Sequence, residues 1–157
     1  MNKTEVILAL GGNLGNVPET FQKTVHLLDR HNFKVLEKAG NYITEAVNCE
    51  PDTPDFINSA VSGEWTRSPE ALLELCQKIE ILCGRPEIHS SAQSRTLDID
   101  IITFGNQIID SDKLKIPHPR AAERFFVLKP LSDIKPYLTI PGTGATVNEL
   151  LDKLINN

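Results

Sequence analysis

Residues 95–105 read Arg-Thr-Leu-Asp-Ile-Asp-Ile-Ile-Thr-Phe-Gly, and this stretch decides the fold. It is rich in β-branched and apolar residues, which predicts a strand with one buried face. Side chains alternate between the two faces of a strand, so Leu97 and Ile99 point to one face. Asp98 and Asp100 therefore share the opposite face, one pleat apart.

Two carboxylates this close repel each other and lose hydration, which indicates a cation between them. Magnesium is the natural candidate, because it prefers oxygen ligands and is often held by one or two carboxylates plus substrate phosphates. Arg95, just upstream, offers a forked donor for a phosphate. The alternative is a solvated strand face with an ion pair to Arg95, and these residues alone leave both interpretations open.

Outward from this strand, the hydrophobic pattern predicts the order strand-helix-strand-strand-helix-strand. Strands are predicted over 5–10, 35–42 and 56–65, and helices follow the caps Asn16 and Ser68. This order is the ferredoxin-like pattern. It predicts an α+β fold whose antiparallel sheet carries two main helices on one face and a site on the other face or its edge. We also predict a hairpin turn at 105–106 into 108–109 and helices over 120–127 and 147–155.

Length and charge exclude several classes of protein. A chain of 157 residues fits a single domain over 1–157, and its net charge of −5 argues against nucleic-acid binding. No apolar run is long enough for a membrane span, and no signal peptide is apparent, so we expect a cytoplasmic protein. We also expect a monomer. The cysteines lack paired metal-binding spacing, and buried free thiols are expected at Cys76 and Cys83.

Three shorter motifs have ordinary alternatives. The turn at 11–15 (Gly-Gly-Asn-Leu-Gly) lacks the ending of a phosphate-binding P-loop, so a plain strand-to-helix turn is favoured. His118 lies between two prolines in a cationic cluster that suits a triphosphate, although this segment alone favours a solvated loop with a helix-capping histidine. Asn58, in an apolar strand, suits the edge of a heterocycle. Glu80 and Arg85 fit an ordinary ion pair.

Together these segments resemble 6-hydroxymethyl-7,8-dihydropterin pyrophosphokinases of folate biosynthesis over about residues 5–136. The aspartate strand and the Pro-His-Pro-Arg segment are specific in combination, whereas the glycine turn is weak alone. The matching segments are 11–15, 42–44 (Tyr-Ile-Thr), 56–58 (Phe-Ile-Asn), 80–85, 95–100 (Arg-Thr-Leu-Asp-Ile-Asp) and 117–126.

The resemblance implies transfer of pyrophosphate from ATP to the pterin hydroxymethyl group, with release of AMP. It implies that Asp98 and Asp100 hold two magnesium ions, and that Arg85 and Arg95 join them as catalytic residues. The implied pterin-binding residues are Thr44, Phe56, Asn58, Asp98 and Phe126. The implied ATP-binding residues are Gln77, Glu80, Arg85, Arg95, Ile101, Lys113, Lys115, His118 and Arg124.

The chain departs from the family pattern in two loops. Glu87 stands where a basic residue is expected, and Ala92 stands where a tryptophan falls in the loop that closes over the nucleotides. Glu45 and Ala46 stand where prolines are usual. Since lid closure commonly completes such sites, the alternative function is a catalytically weakened homologue that binds pterin without closing on ATP. A magnesium phosphohydrolase that uses the same acids is a third, weaker hypothesis.

Overall fold

The sheet is built around the strand that ends in the first glycine pair. The computed structural model describes residues 2–44, 53–84 and 96–156, and in it this strand has an antiparallel neighbour on each side. The strands are β1 (Thr4–Gly12), β2 (Lys34–Lys38), β3 (Tyr42–Thr44), β4 (Phe56–Trp65), β5 (Asp98–Phe104), β6 (Ile109–Asp110) and β7 (Lys115–Ile116). The helices are α1 (Val17–Arg30), α2 (Pro69–Leu82), α3 (Phe125–Ile134) and α4 (Val147–Ile155).

The strand order of the main sheet is β2-β4-β1-β5, with the short β3 also paired to β4. All of these pairings are antiparallel. The order matches the βαββαβ connectivity predicted from the sequence, so the α+β, ferredoxin-like fold is confirmed. Among the described residues, no helix combines the length and the apolar character that a bilayer crossing requires.

The two main helices begin at the predicted caps. The Asn16 side chain accepts a hydrogen bond from the Glu19 amide at 3.2 Å, and the Ser68 hydroxyl accepts one from the Ala71 amide at 3.1 Å. Each helix carries a proline in its first turn, where no amide is needed. A capping box formed by Thr146 begins α4 at the predicted boundary.

Each face of the sheet has its own core. Helices α1 and α2 pack on the face that presents Val6, Leu8 and Leu10. Helices α3 and α4 pack on part of the opposite face, against a second cluster that includes Ile7 and Ala60. The predicted placement of both main helices on one face is therefore confirmed.

Three local predictions were wrong. The predicted strand 35–42 is two strands, β2 and β3, which pair with different parts of β4. The helix predicted over 120–127 is only a 3-10 turn (Ala121–Glu123) followed by α3. Helix α3 runs through Pro130 because Leu128 and Leu131 on either side of it are fully buried in the second core. The turn at 105–106 does not form a hairpin with β5, since β6 pairs with β7.

The two described cysteines and the tryptophan lie in or beside the first core. Cys76 is buried and Cys83 is half-buried, and both are free. Cys49 lies outside the described residues. Trp65 is buried in the first core and donates from Nε1 to the Ser68 carbonyl at 2.9 Å.

Candidate active site

One row of residues crosses four strands on the face away from α1 and α2. Tyr42 pairs with Asn58, Asn58 pairs with Gly11, and Gly11 pairs with Asp98. Residues directly opposite each other on paired strands project from the same face. The strand register therefore brings the amide of Asn58 and the carboxylate of Asp98 to the same side of the sheet, on either side of a glycine.

The second acid of the strand belongs to the adjacent row. Asp100 pairs with Ala9, which in turn pairs with Ala60. Asp98 and Asp100 therefore share one face, as the alternation predicted, and both are half-buried. The strand neighbours of the two acids on β1 are small, Gly11 beside Asp98 and Ala9 beside Asp100.

Gly11 is required by the close approach of Asn58. A Cβ atom at position 11 would lie 3.1 Å from Oδ1 of Asn58, which is closer than most real Cβ contacts. Along β1, the side chains on this face shrink from Ile7 to Ala9 to Gly11 toward the row. This taper makes room for the Asn58 side chain over the end of β1 and shows why a glycine at position 11 matters within the strand, not in a turn.

Asn58 is held by its neighbour on β3. It is buried, and its Nδ2 donates to Oγ1 of Thr44 at 3.0 Å. Thr44 pairs with Phe56, so Phe56 also projects from this face. The structure thus brings together three of the residues predicted to bind pterin.

Glu80 has a role that its ion-pair interpretation did not include. Its carboxylate is buried and accepts a hydrogen bond from the Ile99 amide at 2.8 Å. Ile99 lies between the two aspartates on β5. The carboxylate thereby ties α2 to the strand that carries both acids. The pKa of the nearby Cys76 thiol is raised chiefly by burial, and further by the negative charges of Glu80 and Asp100. The thiol therefore stays protonated.

His118 is oriented by main-chain groups on both sides. Its amide donates to the Ile102 carbonyl at 3.1 Å, and its Nδ1 accepts from the Arg120 amide at 3.3 Å. Burial, followed by the charge of Arg124, lowers the pKa of His118, while Asp98 acts in the opposite sense. A neutral imidazole whose Nδ1 accepts a hydrogen bond carries its proton on Nε2, so this atom is a donor.

Arg124 and Phe126 stand together at the start of α3. The guanidinium carbon lies 5.5 Å from the centre of the Phe126 ring, within cation–π distance. The Phe126 ring remains 38% exposed, whereas most apolar residues of α3 are buried. This pair therefore joins a residue predicted to bind phosphate to one predicted to stack on pterin.

The remaining predicted residues are less closely gathered. The Ile101 side chain is buried in the core with α1 and α2, so any nucleotide contact there must come from its main chain. Lys115 is paired with Asp110, and Lys113 and Gln77 are exposed. Arg85 and Arg95, like Glu45, Ala46, Glu87 and Ala92, lie outside the described residues, and their predicted roles stay predictions.

The sequence interpretation missed a contact at the end of the row. Both carboxylate oxygens of Asp133 on α3 lie within hydrogen-bond distance of the Tyr42 hydroxyl, at 2.7 and 2.8 Å. The signal was present, because an acid in the last turn of a helix opposes the helix dipole and calls for a partner. That partner is 91 residues away in sequence, beyond any local pattern.

Comparison with known proteins agrees with this geometry. The family model described as 7,8-dihydro-6-hydroxymethylpterin-pyrophosphokinase (HPPK) matches residues 7–136. The chain is 41% identical over 130 residues to a folate synthesis bifunctional protein of Arabidopsis thaliana, covering 83% of this chain and 27% of that protein. It is 36% identical over 144 residues to the 2-amino-4-hydroxy-6-hydroxymethyldihydropteridine pyrophosphokinase of Bacillus subtilis, covering 90% of this chain and 84% of that one.

The fold is also shared with a solved structure. Wild-type Plasmodium falciparum HPPK-DHPS with pteroate superposes with a TM-score of 0.78 at 15% identity, over 99% of this chain and 45% of that one. The chain spans about a quarter of the length of the Arabidopsis relative. The strand order and the placement of the helices define the ferredoxin-like class of α+β protein. Within it, the chain belongs to the HPPK family, which confirms the resemblance read from the sequence.

Proposed function

We propose that this chain transfers pyrophosphate from ATP to 6-hydroxymethyl-7,8-dihydropterin and releases AMP. One observation supports this most strongly: Asn58 and Asp98 flank Gly11 in a single row across the sheet. An amide suited to a heterocycle edge thus lies beside a carboxylate suited to a phosphate-bound cation. A substrate that has both a pterin ring and a reacting hydroxymethyl group fits such a row.

The pterin ring would lie over the end of β1, beside the Asn58 amide. Asn58 offers both an acceptor and donors to the ring edge, and its contact with Thr44 orients the amide. Phe56 and Phe126 are the proposed stacking surfaces for the two ring faces. These roles follow the family pattern residue by residue.

The acids fit magnesium by their chemistry. Asp98 and Asp100 are oxygen donors on one face, and within the described ranges no group of three or more histidine, cysteine or acidic side chains forms a metal-binding set. Mg²⁺ is commonly held in this way, by one or two carboxylates with water and phosphate oxygens as further ligands. When bound, two ions would neutralise charge on the triphosphate and on the leaving group.

The chemical step needs alignment and charge stabilisation. The pterin hydroxyl oxygen attacks the β-phosphorus, the bond from that phosphorus to the α–β bridging oxygen breaks, and the hydroxyl proton leaves to solvent or a nearby base. Negative charge then develops on the α-phosphate. Nε2–H of His118 and the guanidinium of Arg124 are donors suited to that charge. The alcohol itself needs positioning more than a strong base.

The decisive experiment mixes the protein with ATP, magnesium and hydroxymethyl-dihydropterin and separates the nucleotides by chromatography. We expect AMP in equal amount to the pterin product, and loss of both when EDTA removes the metal. ADP as the nucleotide product would refute the reaction class. Phosphate release without a pterin acceptor would select the phosphohydrolase. A cytoplasmic location and a monomeric state stay predictions.

The weakened-homologue alternative has a different signature. Calorimetry would show pterin binding without measurable binding of magnesium-ATP, and the chromatogram would contain unreacted ATP. The same titration with a non-hydrolysable ATP analogue is the control, because it separates nucleotide binding from turnover.

A further inference from the structure

Asp133 occupies an unfavourable position in its helix. It lies in the last turn of α3, where the helix dipole disfavours negative charge, and that turn contains no basic residue. Its carboxylate nevertheless accepts hydrogen bonds from two groups. It accepts the Tyr42 hydroxyl at 2.7 and 2.8 Å and the Gly40 amide at 3.1 Å.

These three contacts attach α3 to the segment that leads into β3. A Cβ atom at Gly40 would lie at an ordinary van der Waals distance, 3.4 Å, from Oδ2 of Asp133, so this side of the contact is not crowded. Lys129, one turn earlier on α3, lies 5.8 Å from the centre of the Tyr42 ring. The attachment is therefore made by several groups along one side of the helix.

The same side of α3 carries the proposed pterin-stacking ring. Phe126 and Asp133 are seven residues apart, which is nearly two helical turns, so they project in almost the same direction about 10 Å apart. On the sheet side, Tyr42 pairs with Asn58 in the site row, and Thr44 follows on the same face of β3. One helix face thus meets β3 at one end and the pterin region at the other.

We propose that Asp133 is a positioning residue of the pterin pocket: it holds β3 against α3, and so sets Thr44 and Asn58 at the correct distance from Phe126. The inference rests on the proposed function. Asp133 is exposed, and its hydrogen bonds go to Tyr42 and Gly40, neither of which is a predicted substrate-binding residue. Its effect is on pterin affinity, because both walls of the pterin pocket are attached through it.

The test compares Asp133→Ala and Tyr42→Phe with Asp152→Ala. Asp152 is an exposed helical aspartate whose side chain makes no hydrogen bond or ion pair within the part of the chain that the structure describes. Loss of a hydrogen bond to a charged group is expected to raise the pterin dissociation constant about tenfold in each of the first two variants. The ATP dissociation constant and kcat at saturation should stay within about twofold, since uniform ground-state binding alone is lost.

Two further variants separate positioning from general structure. The double variant Tyr42→Phe/Asp133→Ala should bind pterin no more weakly than Asp133→Ala alone, because Asp133→Ala already removes the contact that Tyr42→Phe removes. Asp133→Asn keeps an acceptor for the Tyr42 hydroxyl and should recover most of the affinity. Unchanged pterin affinity in both single variants, additive losses, or equal weakening of pterin and ATP binding would each overturn the inference. A wild-type protein that neither binds pterin nor forms AMP would instead refute the proposed function.

Discussion

The two faces of the central sheet use the same strands for opposite purposes. On the face beneath α1 and α2, β1 presents Val6, Leu8 and Leu10, which are all buried in a dry core. On the other face, β1 presents side chains that shrink toward Gly11, beside the half-buried acids of β5. The period of two lets one strand fill a core along its whole length on one side, and on the other side pass from a second core at Ile7 to a polar row at Gly11.

The comparison shows how stability and function are divided. The helix face has large side chains because burial of apolar area stabilises the fold, and two long helices cover it. The opposite face has a second core beneath α3 and α4, and its polar row, with Asn58 and Asp98 on either side of Gly11, lies at the end of β1. We therefore expect substitutions in either core to change stability and substitutions in the row to change binding or turnover.

The largest expected effect comes from one truncation made on each face. Phe21 belongs to α1 and is fully buried in the first core, so Phe21→Ala should lower the free energy of unfolding by about 3–5 kcal/mol. Phe126 is 38% exposed on the other face. Phe126→Ala should weaken pterin binding by about 1–3 kcal/mol, if stacking resembles base–aromatic stacking. Urea unfolding and calorimetry measure the two effects.

This division between core and site would be contradicted if Phe126→Ala changed stability and left pterin binding intact. A Phe126→Ala protein that unfolds as easily as Phe21→Ala would make its ring a core residue. Normal pterin affinity in that variant would count against stacking.

The next effect concerns the paired acids. Asp98→Ala or Asp100→Ala should lower turnover by at least ~10²-fold, the scale for loss of a group that stabilises transition-state charge. Stability should hardly change, because removal of one acid relieves repulsion between two half-buried carboxylates. Steady-state rates and melting temperatures test this, with Asp152→Ala as the control. Full activity in either variant would remove the metal assignment.

A smaller effect is expected from the two glycines at the end of β1. Gly11→Ala places a methyl group 3.1 Å from Oδ1 of Asn58, and overpacking of this kind costs about 1–3 kcal/mol. That cost should appear as weaker pterin binding, since the Asn58 side chain can move. At Gly12 the obstacle is the Thr96 carbonyl, 2.6 Å from the Cβ position, so Gly12→Ala should instead lower stability.

Binding and unfolding measured on both glycine variants sharpen the comparison to a single residue step. Equal losses of stability in the two glycine variants would show that the Asn58 side chain cannot move and that its surroundings are as rigid as the core.

The smallest effect is a pH dependence at His118. Burial, then Arg124, lower the pKa of this imidazole from its ordinary value of 6.5, so folding favours the neutral ring. The stabilisation is complete above pH 6.5 and is lost as the pH falls through 6.5 toward the lower folded-state pKa. His118→Asn retains an acceptor for the Arg120 amide and cannot titrate. Thermal melts at pH 7.5 and 5.5 should show a larger acid-induced loss in the wild type, and equal losses would contradict the shift.

Local chemistry was sufficient to predict much of this fold. The caps Asn16, Ser68 and Thr146 satisfy amides of their own first helical turns, so their effect is readable within a few residues. The β5 alternation was likewise local. Helix α3 was misjudged because burial on both sides of Pro130 outweighs the proline, and burial depends on the distant sheet.

Neighbours along the chain were enough to predict which residues alternate along each strand, where the main helices begin, and that two acids share a face. The row formed by Tyr42, Asn58, Gly11 and Asp98 follows only from the three-dimensional fold. Strand register between segments far apart in sequence is selected by how both cores fill, and no local pattern contains that information.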